Sequence, residues 1–334
     1  MTVTRVFLRP DQVSPATRAR VENAVAALHY VPDRAAGGLA TRRSGFVGLV
    51  VPILANANFA ALAEGLTESL RATGHELLIG YTSYDGAEEA RQVRTLLSRR
   101  PEAIVLAGPI VPDPVRRLLA AAGLPVVEVA DLPEHPAGHA IGFSNRAAGA
   151  AAASFLLSLG HRRLAAIGPS RDGDRHDPRG EARILGFTET LRAAGHRTDL
   201  VLSDGIVPLS FAAGARAMAR LLDDTTPRTR PDAVFAVSDL VAVGAAMECR
   251  RRELVLPDQL SLLGFGDFDI GRELVPPLST VAVDFRDLGA RAGVLVGRLL
   301  AGEASQPRQR LDVGFVIVGR GTTRHAPPRR TRRP

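Results

Sequence analysis

Residues 46–81 read FVGLVVPILANANFAALAEGLTESLRATGHELLIGY, and this stretch decides the fold. FVGLVVPI (46–53) is a continuous apolar run, the composition of a strand buried on both faces of a parallel sheet. A helix near 58 to 73 follows, and ELLIGY (76–81) is a second apolar run. Strand, helix and strand in this order form a βαβ unit, whose strands lie parallel in one sheet.

Working outward, AIVLAG (103–108) and PVVEVA (125–130) continue the series, with helices near 86 to 100 and 113 to 122. A second series follows: RLAAIG (163–168), DAVFAVS (232–238), LSLLGF (260–265) and STVAVDF (279–285). It alternates with helices near 145 to 159, 179 to 194, 210 to 223 and 239 to 252. Two runs of βαβ units predict an α/β protein with two doubly wound lobes. Ligand-facing loops then lie at the carboxyl ends of the strands, and the cleft between the lobes is the expected binding site.

Length and composition bound the function. A chain of 334 residues with 46% hydrophobic content can bury large cores. One cysteine, Cys249, excludes an intramolecular disulfide framework and a cysteine-based zinc site, which fits a reducing compartment. No apolar run reaches the roughly 18 residues of a membrane span, and no signal-peptide layout opens the chain, so a cytoplasmic location without membrane contact is expected. The net charge of +7 is concentrated at the ends. Residues 1–44 hold seven Arg against Asp11, Glu22 and Asp33, and residues 324–334 hold five Arg and no acid, which leaves the middle at −2. All 42 basic residues are Arg, so composition bias accounts for part of this footprint.

The N-terminal residues differ in character from the lobes. Thr2 to Phe7 has helical spacing at Val3, Val6 and Phe7 but no preceding cap, whereas Ser14-Pro15 is a strong helix opening. The helix after it places Val21, Ala24, Val25 and Leu28 on one face, which predicts a packing partner. Residues 31–44, VPDRAAGGLATRRS, predict a marginal helix capped by Asp33, because Gly37 and Gly38 each cost about 1 kcal/mol relative to Ala. The last residues, 324–334, have no apolar content to bury and are expected to be disordered.

Nothing in the sequence supports catalysis. No P-loop or GxGxxG follows a strand, GFGDFDIG (264–271) has the wrong glycine spacing, and no GxSxG elbow is present. His135 and His139 lie in a Pro- and Gly-containing loop with no clear third ligand, so neither a metal nor a cofactor is expected. The stretch GPSRDGDRHDPRGEAR (168–183) reads as a solvated cleft rim. Several polar or aromatic residues do sit at predicted strand ends: Asn56 and Phe59 after the first strand, Tyr84 and Asp85 after the second, Asp131 after PVVEVA. Ser238 and Asp239 follow AVFAV, and Asp267 follows SLLGF. Helix capping is the structural role open to Ser238 and Asp239, and ligand contact is the other.

Residues 2–52, together with LGHRRLAAIG (159–168), ARILGF (182–187), the segment 238–269 and PPLSTV (276–281), resemble the LacI/GalR family of transcriptional regulators. AMECRR (246–251), GFGDFDIG and LDVGF (311–315) are most similar to its gluconate-repressor subgroup. The resemblance implies a helix-turn-helix head and hinge helix over residues 1–44 and a periplasmic-binding-protein-like sensor over 45–323. Its first lobe would take about 46–143 and 283–312, its second about 144–282 and 313–323. It further implies a homodimer that binds operator DNA and is controlled by a small sugar or sugar-acid effector.

In that frame the opening residues are the later part of a recognition helix, with Thr2, Thr4 and Arg5 at positions that contact DNA, and the first helix of the head would lie upstream of Met1. A sensor that cannot bind DNA because its head is incomplete is the alternative reading. Leu39 matches the hinge-helix leucine that wedges into the minor groove. Arg183 matches the family's ligand-contacting arginine, able to clamp a carboxylate or vicinal hydroxyls. Gly266 stands where members that bind neutral sugars commonly carry Asp. The expected effector set is therefore Asn56, Phe59, Tyr84, Asp131, Arg183, Ser238, Asp239, Gly266 and Asp267, and the expected effector an acidic sugar.

Overall fold

The computed structural model describes residues 2–8, 10–30, 44–108, 113–169, 175–203, 209–303 and 308–326. At the N-terminus α1 (Thr2–Leu8) is joined by one 3-10 turn (Pro10–Gln12) to α2 (Pro15–Ala27). Ser14 caps α2, its hydroxyl accepting from the Thr17 amide at 3.4 Å, and Pro15 occupies the first turn, where a missing N–H is harmless. Val6 of α1 is buried, while Val3 and Phe7 are exposed. The apolar face expected on α2 does not find a full partner. No residue of α2 is buried, and Val21, Ala24, Val25 and Leu28 line an open groove with Val3 and Tyr30. The cause is size: the seven-residue α1 covers only part of a thirteen-residue face. The expected hinge helix, with Asp33 and Leu39, lies outside the described residues.

The first sheet comprises β1 (Phe46–Val51), β2 (Glu76–Tyr81), β3 (Ala103–Ala107), β4 (Val126–Val129) and β5 (His139–Gly142). Helices α3 (Ala57–Arg71), α4 (Gly86–Ser98) and α5 (Asp113–Ala122) connect the first four strands. After β5 the chain crosses to a second unit. There α6 (Asn145–Ser158), β6 (Leu164–Gly168), α7 (Pro178–Ala193), β7 (Val201–Ser203), α8 (Phe211–Asp223) and β8 (Ala233–Ala236) follow in turn. They continue into α9 (Asp239–Arg251), β9 (Ser261–Phe265), the short α10 (Asp269–Arg272) and β10 (Ser279–Ala282). The chain then returns through α11 (Phe285–Leu300) to β11 (Arg310–Asp312), and crosses once more to β12 (Val316–Val318).

The strand orders are β11-β5-β4-β3-β1-β2 and β12-β10-β9-β8-β6-β7. Every pairing is parallel except β10 with β12, which is antiparallel. The order reverses between β1 and β3 in one sheet and between β6 and β8 in the other. Such switch points open crevices at the carboxyl ends of the strands, because the connecting helices leave on opposite faces. The strands that flank them are nearly all buried, Val47, Leu49, Val105, Ala165 and Phe235 among them. Continuous apolar runs are the sequence trace of this double coverage.

Helices pair closely: α3 with α11, α6 with α7, and α8 with α9. Glycine permits the approach of α6 to α7. A Cβ on Gly149 would overlap the backbone carbonyl of Arg183, and one on Gly186 that of Arg146. The chain crossings are packed by an aromatic cluster, with Phe143 at 5.8 Å from Phe265 and 6.1 Å from Phe285, and Phe59 at 6.3 Å from Phe285.

The expectation of disorder from Arg324 onward is corrected over its first three residues. Arg324 pairs with Asp258 at 2.7 Å, its carbonyl lies 3.0 Å from Nε2 of buried His161, and the Ala326 amide donates to the Leu159 carbonyl. Polar side chains supply the anchorage that the apolar pattern does not show. Residues 327–334 lie outside the described residues. Among the described residues no helix is long and apolar enough to cross a membrane.

Candidate functional site

Two adjoining cavities occupy the crevice between the lobes. One, of about 360 Å³, lies beside the aromatic cluster and is lined by Asn56, Asn58, Phe59 and Tyr84 from the first lobe and Arg179, Arg183 and Ser238 from the second. The other, of about 530 Å³, lies over the switch point of the first sheet, against the ends of β1 and β3, with Thr82, Asp85 and Glu89. Tyr84 and Arg179 line both.

The arginines come from one helix. Asp177 caps α7 through the Arg179 amide, and Pro178 follows it in the first turn. Arg179 and Arg183 are four residues apart and therefore share a helical face. All three side chains are buried. Asp177 lies 3.5 Å from the Arg179 guanidinium and 4.0 Å from that of Arg183. Arg179 reaches into the first lobe, donating to the Ala107 carbonyl and resting over Phe59 with its guanidinium carbon 5.1 Å from the ring centroid. Arg183 lies 4.1 Å over Phe265 and donates through Nη1 to the Asn145 amide oxygen. Asn145 in turn donates to Asp131 at 2.8 Å.

One donor is left over: the buried Nε of Arg183 has no hydrogen-bond partner. An unpaired buried donor is expensive, so it marks a place where an acceptor would be strongly favoured. Burial pulls the Arg183 pKa down to about 10, against the pull of Asp177, and it remains a cation at neutral pH. Burial, reinforced by Asp177, raises the Tyr84 phenol well above its usual range, so it stays a neutral donor. Among its described lining residues the smaller cavity has two guanidiniums and no carboxylate.

Of the residues singled out from sequence, Asn56, Phe59, Tyr84, Arg183 and Ser238 line this cavity together. Asn56 and Ser238 also cap α3 and α9. Asp131 reaches Arg183 only through Asn145. Gly266 abuts Asn58 from the opposite lobe: it has φ +127°, and a Cβ there would sit 2.6 Å from the Phe268 ring and 2.9 Å from the Asn58 amide. Asp239 and Asp267 are engaged inside the second lobe. Asp239 accepts from the Phe268 amide and the Thr280 hydroxyl at 2.8 and 2.9 Å. Asp267 pairs with Arg320 at 2.6 Å and Arg272 at 2.8 Å. Partial burial opposes its charge, but these two arginines hold its carboxyl below the usual range.

The reading of 168–183 as a solvated rim is corrected at its end, where Asp177 and Arg179 are buried in the cleft wall. Their signal was present: Asp-Pro opens a helix, and an arginine four residues before Arg183 shares its face. Asn58 and Asn145 carry no comparable sequence signal. Arg5 is exposed on α1, which also holds Thr2 and Thr4.

Two doubly wound lobes around a cation-bearing cleft, behind a small helical head, define a two-lobed ligand-binding protein with an appended N-terminal module. Residues 153–323 match the periplasmic binding protein-like domain, and residues 1–33 match the bacterial regulatory proteins of the lacI family. The HTH-type transcriptional regulator GntR of Pseudomonas aeruginosa is 34% identical over 323 residues, 97% of this chain and 92% of that protein. A LacI family transcriptional regulator from Silicibacter pomeroyi is 36% identical with a TM-score of 0.76, over 83% of this chain and 98% of the other. A second regulator from that organism superposes with a TM-score of 0.86 at 29% identity, over 96% and 95% of the two chains. The chain belongs to the LacI family of bacterial regulatory proteins, and it is a DNA-binding transcriptional regulator.

Proposed function

We propose that the protein is a cytoplasmic, homodimeric repressor of carbohydrate metabolism whose effector is a sugar acid of the gluconate type, bound between the lobes. The observation that carries the effector reading is the cavity wall with two buried arginines, one bearing an unpaired Nε, and no carboxylate among its described residues. A carboxylate satisfies the orphan donor by a charge-assisted bond, stronger than the neutral bond a hexose hydroxyl offers. The conformation of Gly266 supports the same choice, since the backbone and the approach of Asn58 disfavour an aspartate at that position. Similarity to the gluconate-repressor subgroup and to regulators named GntR agrees with it.

In this account residues 1–44 form the DNA-binding head and hinge, with Thr2, Thr4, Arg5 and Leu39 toward the operator. The sensor divides into lobes of about 46–143 with 283–312, and 144–282 with 313–323. Effector holds the lobes together across Arg179 and Arg183, the dimer contact of the first lobes shifts, and the spacing of the two heads changes. Arginine contacts to phosphate make the DNA affinity fall with salt.

Thermal melting tests the effector class. Millimolar D-gluconate raises the melting temperature by several degrees and D-glucose leaves it unchanged, as mass action requires for a ligand of the folded state. Stabilisation by glucose alone would overturn the sugar-acid reading.

A further inference from the structure

Resting on the sugar-acid reading, we propose that the larger cavity, over the β1–β3 switch point, holds the uncharged hydroxylated end of the effector, and that Glu89 there excludes acids carrying a phosphate at that end. The two cavities adjoin at Tyr84 and Arg179, which are wall residues of both. A carboxylate held at Arg183 therefore leaves the remainder of an extended acid to run past Arg179 toward β1, β2 and β3. This is also the crevice where an open α/β sheet of this strand order offers a ligand site.

The walls of the two cavities differ in sign. The smaller presents two arginines, whereas the larger presents Asp85 and Glu89 alongside Arg179, with buried Thr82 as a hydroxyl partner and His176 on the facing lobe. Apart from the His176 ring, the groups that a phosphate would use in the larger cavity are already engaged. The amides of Ala87 and Glu88 at the start of α4 are taken by the Asp85 carboxylate at 2.8 and 3.1 Å. The Gly108 amide donates to Val129. Arg179 is shared among Asp177, the Ala107 carbonyl and the Phe59 ring.

The Glu89 carboxylate, in contrast, has no hydrogen-bond donor among the described residues. Burial lifts its pKa to about 7 against the opposing field of Arg179. A half-buried carboxyl of this kind exchanges hydrogen bonds with sugar hydroxyls in either protonation state, and in its ionised form it repels a phosphate dianion at close range.

Calorimetry on the full chain with D-gluconate, 6-phospho-D-gluconate and the four-carbon acid D-erythronate tests this. Gluconate is expected to bind at least ten-fold tighter than its 6-phosphate. Glu89→Gln is expected to narrow that gap several-fold, and erythronate, too short to fill the larger cavity, to bind at least ten-fold more weakly than gluconate. The erythronate comparison uses the unaltered chain and so is independent of how the variant folds. Equal or tighter binding of the phosphate ester, or equal binding of erythronate, would overturn the inference while leaving the sugar-acid reading in place. Binding of none of the three acids would overturn both.

Discussion

In the first lobe the strand ends carry Asn56, Asn58, Phe59 and Tyr84, groups that hydrogen-bond or stack but bear no charge. In the second, a single helix, α7, brings Asp177, Arg179 and Arg183 to the same cleft. The strand orders of the two sheets are equivalent, so the division of chemistry is not a consequence of topology. It follows from the N-terminal turns of α7, where a capping aspartate and two arginines on one face meet the gap between the lobes. The first lobe thus supplies neutral contacts to the smaller cavity and the carboxylates Asp85 and Glu89 to the larger one, and the second lobe supplies the arginines. In the proposed function, an acidic ligand bridges the two.

The largest expected effect comes from removing the positive charge that the first lobe's cleft wall lacks. Arg183→Met keeps the stem packed over Phe265 but deletes the guanidinium, and aldonate affinity should fall roughly a hundred-fold, about 3 kcal/mol, by calorimetry. Asp177→Asn retains a capping oxygen while removing the negative partner of both arginines. It should lower unfolding stability by about 2 kcal/mol in denaturant titration and tighten aldonate binding a few-fold, separating the structural from the electrostatic role of that carboxylate.

Gly149→Ala tests the packing that places α7. The added methyl meets the Arg183 carbonyl, so stability should drop by about 1–3 kcal/mol and aldonate affinity should weaken because the helix is displaced. An unchanged melting temperature would show that α6 and α7 are not locked at this contact.

The smallest effect belongs to the first lobe. Glu89 has its pKa raised by burial from the ordinary 4.5 to about 7, so the folded protein retains a proton that the unfolded chain releases. Its contribution to stability therefore declines as pH rises from about 4.5 to 7 and is constant above that. Asp239, raised to about 6 by burial, acts in the same sense. Glu89→Gln should flatten the upper part of this slope, measured as denaturation midpoints across the window.

The contrast between lobes was only partly legible in the sequence. The two βαβ series and most helix positions could be read from apolar runs, because strands covered on both faces leave no polar alternation. The short strands β5, β7 and β11 were not, since HAIG, VLS and RLD hold too few consecutive apolar residues to form a run. Arg183 was legible through the motif around it, and Asn56, Phe59, Tyr84 and Ser238 through their places at strand ends. Asp177 and Arg179 were masked by the polar residues preceding them, which made a buried helix start look like a loop. Asp239 and Asp267 sit at equally suggestive positions yet are engaged within their own lobe by Thr280, Arg272 and Arg320. Strand-end position narrows the candidates, but the direction of the side chain decides among them.

In the proposed function α7 reads a carboxylate. The most direct test is a calorimetric cycle pairing D-gluconate and D-glucose with the unaltered protein and Arg183→Met. The account predicts a preference for gluconate of at least a hundred-fold that collapses to within a few-fold in the variant. Equal affinity for the two ligands in the unaltered protein, or a preference that survives loss of the guanidinium, would contradict it.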